Sequence, residues 1–169
     1  VSNSRIPDVL LLAADELGIK LELQGDLPLW EPSPGLRHQE AVDVIRASIT
    51  PHTVAGTENH CACRHYADLY VCFPDGSFKR PDISIFCRRP DEEVGAVTLV
   101  PEAVIEVLSP RGELKDLELG PPFYLMHGIK DVIVLDPETS VVVHRRVDAT
   151  TLHQSPVTID LACGCRVAV

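Results

Sequence analysis

Two acidic residues sit where a folded chain does not readily tolerate charge. Asp82 follows Pro81 inside the strand-like stretch 78–87 (FKRPDISIFC), and Glu106 interrupts the apolar run Ala103-Val104-Ile105-Glu106-Val107-Leu108. An uncompensated carboxylate in a central strand costs several kcal/mol. Taken singly, each has an ordinary explanation: Asp82 on the solvent side of an edge strand, Glu106 ion-paired with an arginine such as Arg80. Taken together, 24 positions apart on two strands joined by a loop, they suit a shared cation. Neighbouring strands would bring both carboxylates to one Mg²⁺ or Mn²⁺, hard ions that take oxygen ligands and complete an octahedron with water.

A second group is the cysteines: Cys61, Cys63, Cys72, Cys87, Cys163 and Cys165. Three readings stand side by side. Reduced cysteines serve as small buried apolar side chains. The pairs Cys61-Ala62-Cys63 and Cys163-Gly164-Cys165 can also form a four-thiolate zinc site, with His60 or His65 nearby, although structural zinc sites usually place two or more residues between paired cysteines. Disulfides are the third.

The elements that must position these groups follow from the hydrophobic pattern. Residues 7–17 read as a helix, with Pro7 and Asp8 in its first turn and Gly18 at its stop. Residues 19–23 and 27–30 read as a small hairpin about Gln24-Gly25-Asp26, and 31–35 as a loop. A second helix is expected over 37–49, stopped by Thr50-Pro51. Strands are expected at 65–73, 78–87 and 102–108. A helix over 113–127 carries Gly120-Pro121-Pro122 inside it, which must kink or restart it. Strands at 131–135, 140–147, 150–154 and 157–162 lead to the closing residues 166–169. The expected fold is one domain over 1–169, α/β or α+β: a helix–hairpin–helix front (1–50), a core (about 53–147) and C-terminal strands (148–169), with a mixed sheet flanked by helices.

Three stretches carry a resemblance. They are Arg80-Pro81-Asp82-Ile83-Ser84, then Pro101 to Pro110 (PEAVIEVLSP), then Phe123 to Pro137 (FYLMHGIKDVIVLDP). In order and spacing they resemble a bacterial family, numerous in cyanobacteria, described as "putative restriction endonucleases" of the PD-(D/E)xK nuclease superfamily. Glu22 to Leu27 (ELQGDL) is similar to its opening hairpin, and Ser33 to Gln39 (SPGLRHQ) to its loop-plus-histidine entry to a helix. The resemblance runs from about residue 19 to the end of the chain.

It implies a restriction-endonuclease-like sheet that cleaves DNA with Mg²⁺ or Mn²⁺. Asp82 matches the first metal-binding acid and Glu106 the second, with the Val107 carbonyl as a further ligand. Glu22 is either a third acid near the metal or a surface residue of the hairpin, and His38 either touches the metal water or phosphate or is a cap or packing residue. The superfamily's lysine, two residues beyond the second acid, falls here on Leu108. The family's own lysine, four residues before the tyrosine matched by Tyr124, falls on Gly120. Lys115 is the nearest lysine on that segment, nine residues before Tyr124, and is the candidate to replace it; otherwise it is a solvated lysine beside Asp116 and Glu118. Glu40 is expected to be exposed.

Composition sets the remaining bounds. The 169 residues carry 25 acidic against 15 basic side chains, a formal charge of −10, with 45% hydrophobic residues. That excludes dominant disorder and binding of nucleic acid by bulk positive charge. No apolar run approaches the ~18 residues of a membrane span, so the expectation is a cytoplasmic chain without membrane contact. The chain begins at Val1, which leaves room for an upstream segment. The basic pairs Lys79-Arg80, Arg88-Arg89 and Arg145-Arg146, with Arg111, are candidate groove-edge contacts. Three functions therefore stand: a metal-dependent DNA nuclease, with a homodimer suited to cutting two strands; a nuclease-fold binding module impaired by the missing lysine; and a domain stapled by zinc at Cys61, Cys63, Cys163 and Cys165.

Overall fold

The computed structural model describes residues 8–53, 61–109, 112 and 114–169. Among these, the widest sheet has six strands. Its centre is β8 (Ala103–Val107), buried at every position, as expected of a five-residue apolar run with helices or loops on both faces. β8 runs parallel to β9 (Asp131–Asp136), with Glu106 opposite Val134. β7 (Ile83–Phe86) pairs antiparallel with β8 on its other side, with Ile83 opposite Ile105. β4 (Arg64–Ala67), β10 (Val141–Arg145) and β11 (Thr150–Gln154) complete the order β11-β10-β9-β8-β7-β4. The parallel β8–β9 pair needs a crossover. It is supplied by a π-helical segment (Leu114–Leu119) running directly into α3 (Gly120–Met126).

Alternation along β8 divides the core. Ile105 and Val107 face α2 (Leu36–Ser48) through Val42, Ile45 and Ile49, whereas Val104 faces Phe123 and Tyr124 of α3. Glu106 shares the parity of Val104, so its side chain points toward α3.

Two strands expected to be continuous are each broken, and the breaks place the site. The stretch 65–73 divides at Asp68, whose φ of 57° lies in the left-handed region, leaving β4 in the large sheet and β5 (Val71–Cys72) elsewhere. The stretch 78–87 divides at Arg80-Pro81-Asp82 into β6 (Phe78–Lys79) and β7. Proline lacks the N–H that a continuous ladder needs. β6 joins β5 and the front hairpin, β1 (Ile19–Gln24) and β2 (Leu27–Pro32), in a second sheet of order β2-β1-β6-β5. The front hairpin is thereby sewn to the core immediately beside Asp82. α1 (Asp8–Glu16) precedes it.

The C-terminal hairpin, β12 (Thr158–Asp160) and β13 (Cys165–Ala168), pairs with β3 (Thr50–Pro51) in a third sheet. Its attachment depends on Asp131, which is fully buried. The Asp131 carboxylate meets His144 Nε2 at 2.8 Å and accepts from Arg146 Nε at 2.6 Å and the Ala162 N–H at 2.7 Å. Burial alone would raise this carboxyl; the His144 and Arg146 contacts hold it below the usual range. Its stabilisation is therefore present at neutral pH and is lost as pH falls through the depressed native value.

Asp131→Ala leaves the buried His144 ring and the Ala162 N–H without their partner and should cost about 3 kcal/mol, read from urea unfolding at pH 7. A loss below about 1 kcal/mol, the value of a surface pair, would contradict this role.

Candidate functional site

The groups meet where β7 and β8 emerge from the large sheet. Asp82 and Glu106 are buried, 6% and 2% exposed, and are joined through the backbone: the Asp82 N–H donates to Glu106 Oε2 at 3.1 Å. The Val107 N–H donates to Asp82 Oδ2 at 2.8 Å. Glu106 Oε1 accepts from the Tyr124 hydroxyl at 2.7 Å, so α3 fixes its second oxygen. The ordinary explanations for the two acids do not hold. Asp82 is no edge-strand surface residue, and Arg80 turns to Asp15 and Asp68 rather than to Glu106.

Three lysines enter this cluster. Lys20 Nζ lies 2.7 Å from Asp82 Oδ1 and 3.5 Å from Glu31 Oε1. Lys79 Nζ lies 2.7 Å from Glu22 Oε2, with both side chains 1% exposed. Lys115 Nζ reaches Glu31 Oε1 at 2.7 Å, Asp116 Oδ1 at 3.2 Å and Glu22 Oε2 at 3.9 Å. Lys115 is therefore in the cluster and is not a solvated lysine. A π-helix closes i→i+5 rings and spends more residues per turn than an α-helix, so the side chains of this segment fall on other faces than α-helical spacing would give, and Lys115 lies against Glu22, Glu31 and Asp116. Gly120 is buried in the same turn, and a Cβ there would sit 3.0 Å from the Lys115 carbonyl oxygen. A side chain at 120, where the resemblance places a lysine, would require that carbonyl to give by a few tenths of an ångström.

Glu22 is a buried member of the cluster, not a surface residue of the hairpin; besides Lys79 it accepts the Arg80 N–H at 2.7 Å. His38, at the start of α2, places Nε2 3.0 Å from Asp82 Oδ2, while its buried Nδ1 has no hydrogen-bond partner among the described residues. His38 lines two depressions, a cleft of about 770 Å³ running over Pro34, Arg37, Leu108 and Ser109, and a smaller one of about 180 Å³ that reaches Asp82. Glu40 is exposed.

The electrostatics define what the cluster lacks. Five carboxyl groups (Glu22, Glu31, Asp82, Glu106, Asp116) face three lysines, a deficit of two positive charges counted over carboxylates and ammonium groups, of which a protonated His38 ring beside Asp82 makes up part. Burial alone would raise Asp82, but the Lys20 ammonium and the His38 ring hold it well below the usual carboxylate range. Glu22 is held near 2 against burial by Lys115, Lys79 and Lys20. The deficit falls on the others. Burial first, then the Asp82 charge, pushes Glu106 up to about 8, and burial pushes Asp116 up to about 6. Lys115, surrounded by acids, is raised above the ordinary lysine value despite its burial and stays protonated. The donors here are carboxylate oxygens, the type a hard divalent ion takes, and each oxygen of Asp82 and Glu106 already has a partner within the chain.

The expected basic contacts are largely consumed within the chain. Arg88 pairs with Asp91, Arg89 with Glu93, Arg80 with Asp15 and Arg146 with Asp131. Arg111 lies outside the described residues, as does His60. The cysteines do not form a purely reduced apolar set: Cys61 pairs with Cys87 and Cys63 with Cys165, leaving Cys72 and Cys163 as thiols.

A mixed sheet flanked by helices, with buried acids at the ends of two adjacent central strands, defines a restriction-endonuclease-like nuclease fold. The family described as "Uma2: Putative restriction endonuclease" matches residues 3–161, and the chain belongs to it. A crystal structure titled as a putative nuclease belonging to DUF820, from Anabaena variabilis ATCC 29413, superposes with a TM-score of 0.63 at 24% identity. The match covers 85% of this chain and 83% of that one, a likeness of fold. A search of curated proteins gave no match.

Without added cation, the Glu106 carboxyl should titrate by ¹³C NMR with a midpoint near 8, and Asp82→Asn should lower it. A midpoint in the ordinary range near 4.5 would contradict the charge deficit. The sign for stability follows. The fold keeps a proton that the unfolded chain releases, so stability should decline as pH rises from about 4.5 to about 8, and Glu106→Gln should flatten that slope in urea titrations.

Proposed function

We propose that this chain hydrolyses phosphodiester bonds in DNA as an Mg²⁺- or Mn²⁺-dependent endonuclease of the cytoplasm. The observation that carries the reading is the buried Asp82–Glu106 couple, two carboxylates on adjacent strands in a cluster short of two positive charges. A bound divalent ion supplies Lewis-acid activation of a phosphate and a more acidic water. The chain's own groups do the rest. Asp82 and Glu106 hold the ion, with Glu22 behind them, and Tyr124 fixes one Glu106 oxygen. Lys115, protonated throughout the working range, offers its ammonium to negative charge developing on the phosphate. Its hold on Glu31 and Asp116 must loosen for it to do so. His38 is anchored through Nε2 on Asp82, and the residue lines the cleft. Burial alone would lower this ring's pKa, but Asp82 raises it above the ordinary value, which suits a proton donor to the leaving oxygen. Cutting both strands of a duplex calls for two such sites, which a homodimer provides.

A second reading has one observation in its favour. Lys20 already sits 2.7 Å from Asp82 Oδ1, and Leu108 and Gly120 occupy the two usual lysine positions. On this reading the ammonium stands in for the cation and the chain is a binding module without turnover.

Plasmid incubated with Mg²⁺ or Mn²⁺ separates the two. The nuclease reading expects nicking that disappears in Asp82→Ala and Glu106→Ala and falls about 10²–10³-fold in Lys115→Ala. Equal behaviour of wild type and both acid variants would sink it in favour of the binding module.

A further inference from the structure

The second chemical cluster of the fold lies at the other end of β7. Cys87 directly follows that strand, five residues beyond Asp82, which at ~3.3 Å per residue puts it ~16 Å away. Cys61 and Cys63 precede β4, the antiparallel partner of β7, and the Ala62 N–H donates to the Cys87 carbonyl at 3.0 Å. Cys163 and Cys165 flank Gly164 in the turn into β13. Three remote pieces of chain thus deliver five of the six cysteines to one place.

The sulfurs fall into two triads. Those of Cys61, Cys63 and Cys165, all buried, lie within 4.8 Å of one another, as do those of Cys61, Cys87 and Cys163. Cys61 Sγ and Cys165 Sγ are 3.5 Å apart. Tetrahedral zinc with Zn–S bonds of about 2.3 Å requires S···S separations of about 3.8 Å. Two disulfides account for four of these cysteines and leave Cys163 as a thiol inside the same cluster. The backbone is also committed. Cys63 has φ 47°, a left-handed conformation that a residue with a Cβ adopts only at a cost of about 1–2 kcal/mol. Gly164 has φ 88°, and its carbonyl accepts the His52 N–H at 2.8 Å. Both turns are therefore held in the shape that aims neighbouring sulfurs at one point.

We infer that in the reduced chain this cluster is a structural zinc site. Cys61, Cys63 and Cys165 hold the ion, and the Cys87/Cys163 pair supplies the fourth thiolate. The sequence pattern named Cys61, Cys63, Cys163 and Cys165; the fold adds Cys87. His65 belongs to neither triad, and its Nδ1 faces the Cys63 carbonyl at 3.1 Å. A reducing compartment favours thiols over disulfides, and four thiols give up four protons when they bind the ion as thiolates. The zinc would clamp the C-terminal hairpin to the β4–β7 edge of the large sheet.

The test keeps the chain reduced from lysis onward with a phosphine, which converts each disulfide and one water to two thiols and a phosphine oxide. Metal analysis should give about one zinc per chain. Replacement by Co²⁺ should produce the sulfur-to-cobalt charge-transfer and intense visible bands of a tetrahedral thiolate site, which oxygen ligands do not give. Cys61→Ser, which breaks both triads, should lose the metal, and Cys72→Ser, outside the cluster, should keep it. If Cys61→Ser fails to fold, the cobalt spectrum of the wild type still decides. Absence of zinc and of thiolate bands from the reduced, folded wild type would overturn the inference, as would Cys61→Ser retaining full zinc. None of these readouts uses DNA cleavage, so they stand or fall apart from the nuclease reading.

Discussion

A deficit of two positive charges inside a buried acidic cluster organises this molecule. Charged groups leave water only if they are compensated, and here each element near the site contributes to the compensation. β1 brings Lys20 and Glu22, β2 brings Glu31, β6 brings Lys79, and the π-helical segment brings Lys115 and Asp116. The strand breaks at Asp68 and at Arg80-Pro81-Asp82 are part of the same design. They let two sheets meet at a corner, so that the polar face of the front hairpin covers the open end of β7 and β8. In the absence of a cation a proton on Glu106, pushed up to about 8, offsets one of the missing charges at neutral pH, and Asp116, raised to about 6, takes up a second only as the solution becomes acidic.

The same constraint explains the departure at Gly120. A π turn is a local disruption of regular helix often retained for function. Here it changes which residues of the segment meet the acids, and the Lys115 carbonyl lies close to where a side chain at 120 would begin. A lysine's charge is thus delivered to the acids from a different sequence position. Much of the chain's basic charge is likewise turned inward or paired at the surface, so a docked phosphate must find its compensation within the site. This is where the overall charge of −10 and a nucleic-acid substrate can coexist, since a bound cation reverses the local sign.

Much of the fold was legible from hydrophobic periodicity, and Asp82 and Glu106 stood out because charge interrupts apolar strands. What escaped the sequence follows from three physical facts. β1 alternates in the usual way, but its polar face is the buried one: Lys20 and Glu22 are 4% and 1% exposed. Periodicity locates two faces and cannot say which is covered. The continuous runs 65–73 and 78–87 look like single strands because the turns at Asp68 and Pro81 keep their flanking apolar residues; only sheet pairing shows that each half belongs elsewhere. The role of Lys115 depended on helix type, since α and π spacing send it to different faces. Cys87, without a paired cysteine beside it in sequence, joined the thiol cluster only through the β4–β7 pairing.

On the proposed reading Asp82 and Glu106 together hold a divalent cation, and calorimetric titration of Mn²⁺ into the chain at pH 7, in two buffers of different ionisation enthalpy, tests this most directly. With Glu106 pushed up to about 8, binding should release close to one proton, and Glu106→Gln should abolish that release while weakening binding. Mn²⁺ binding that releases no proton and is unchanged in Glu106→Gln would contradict the account.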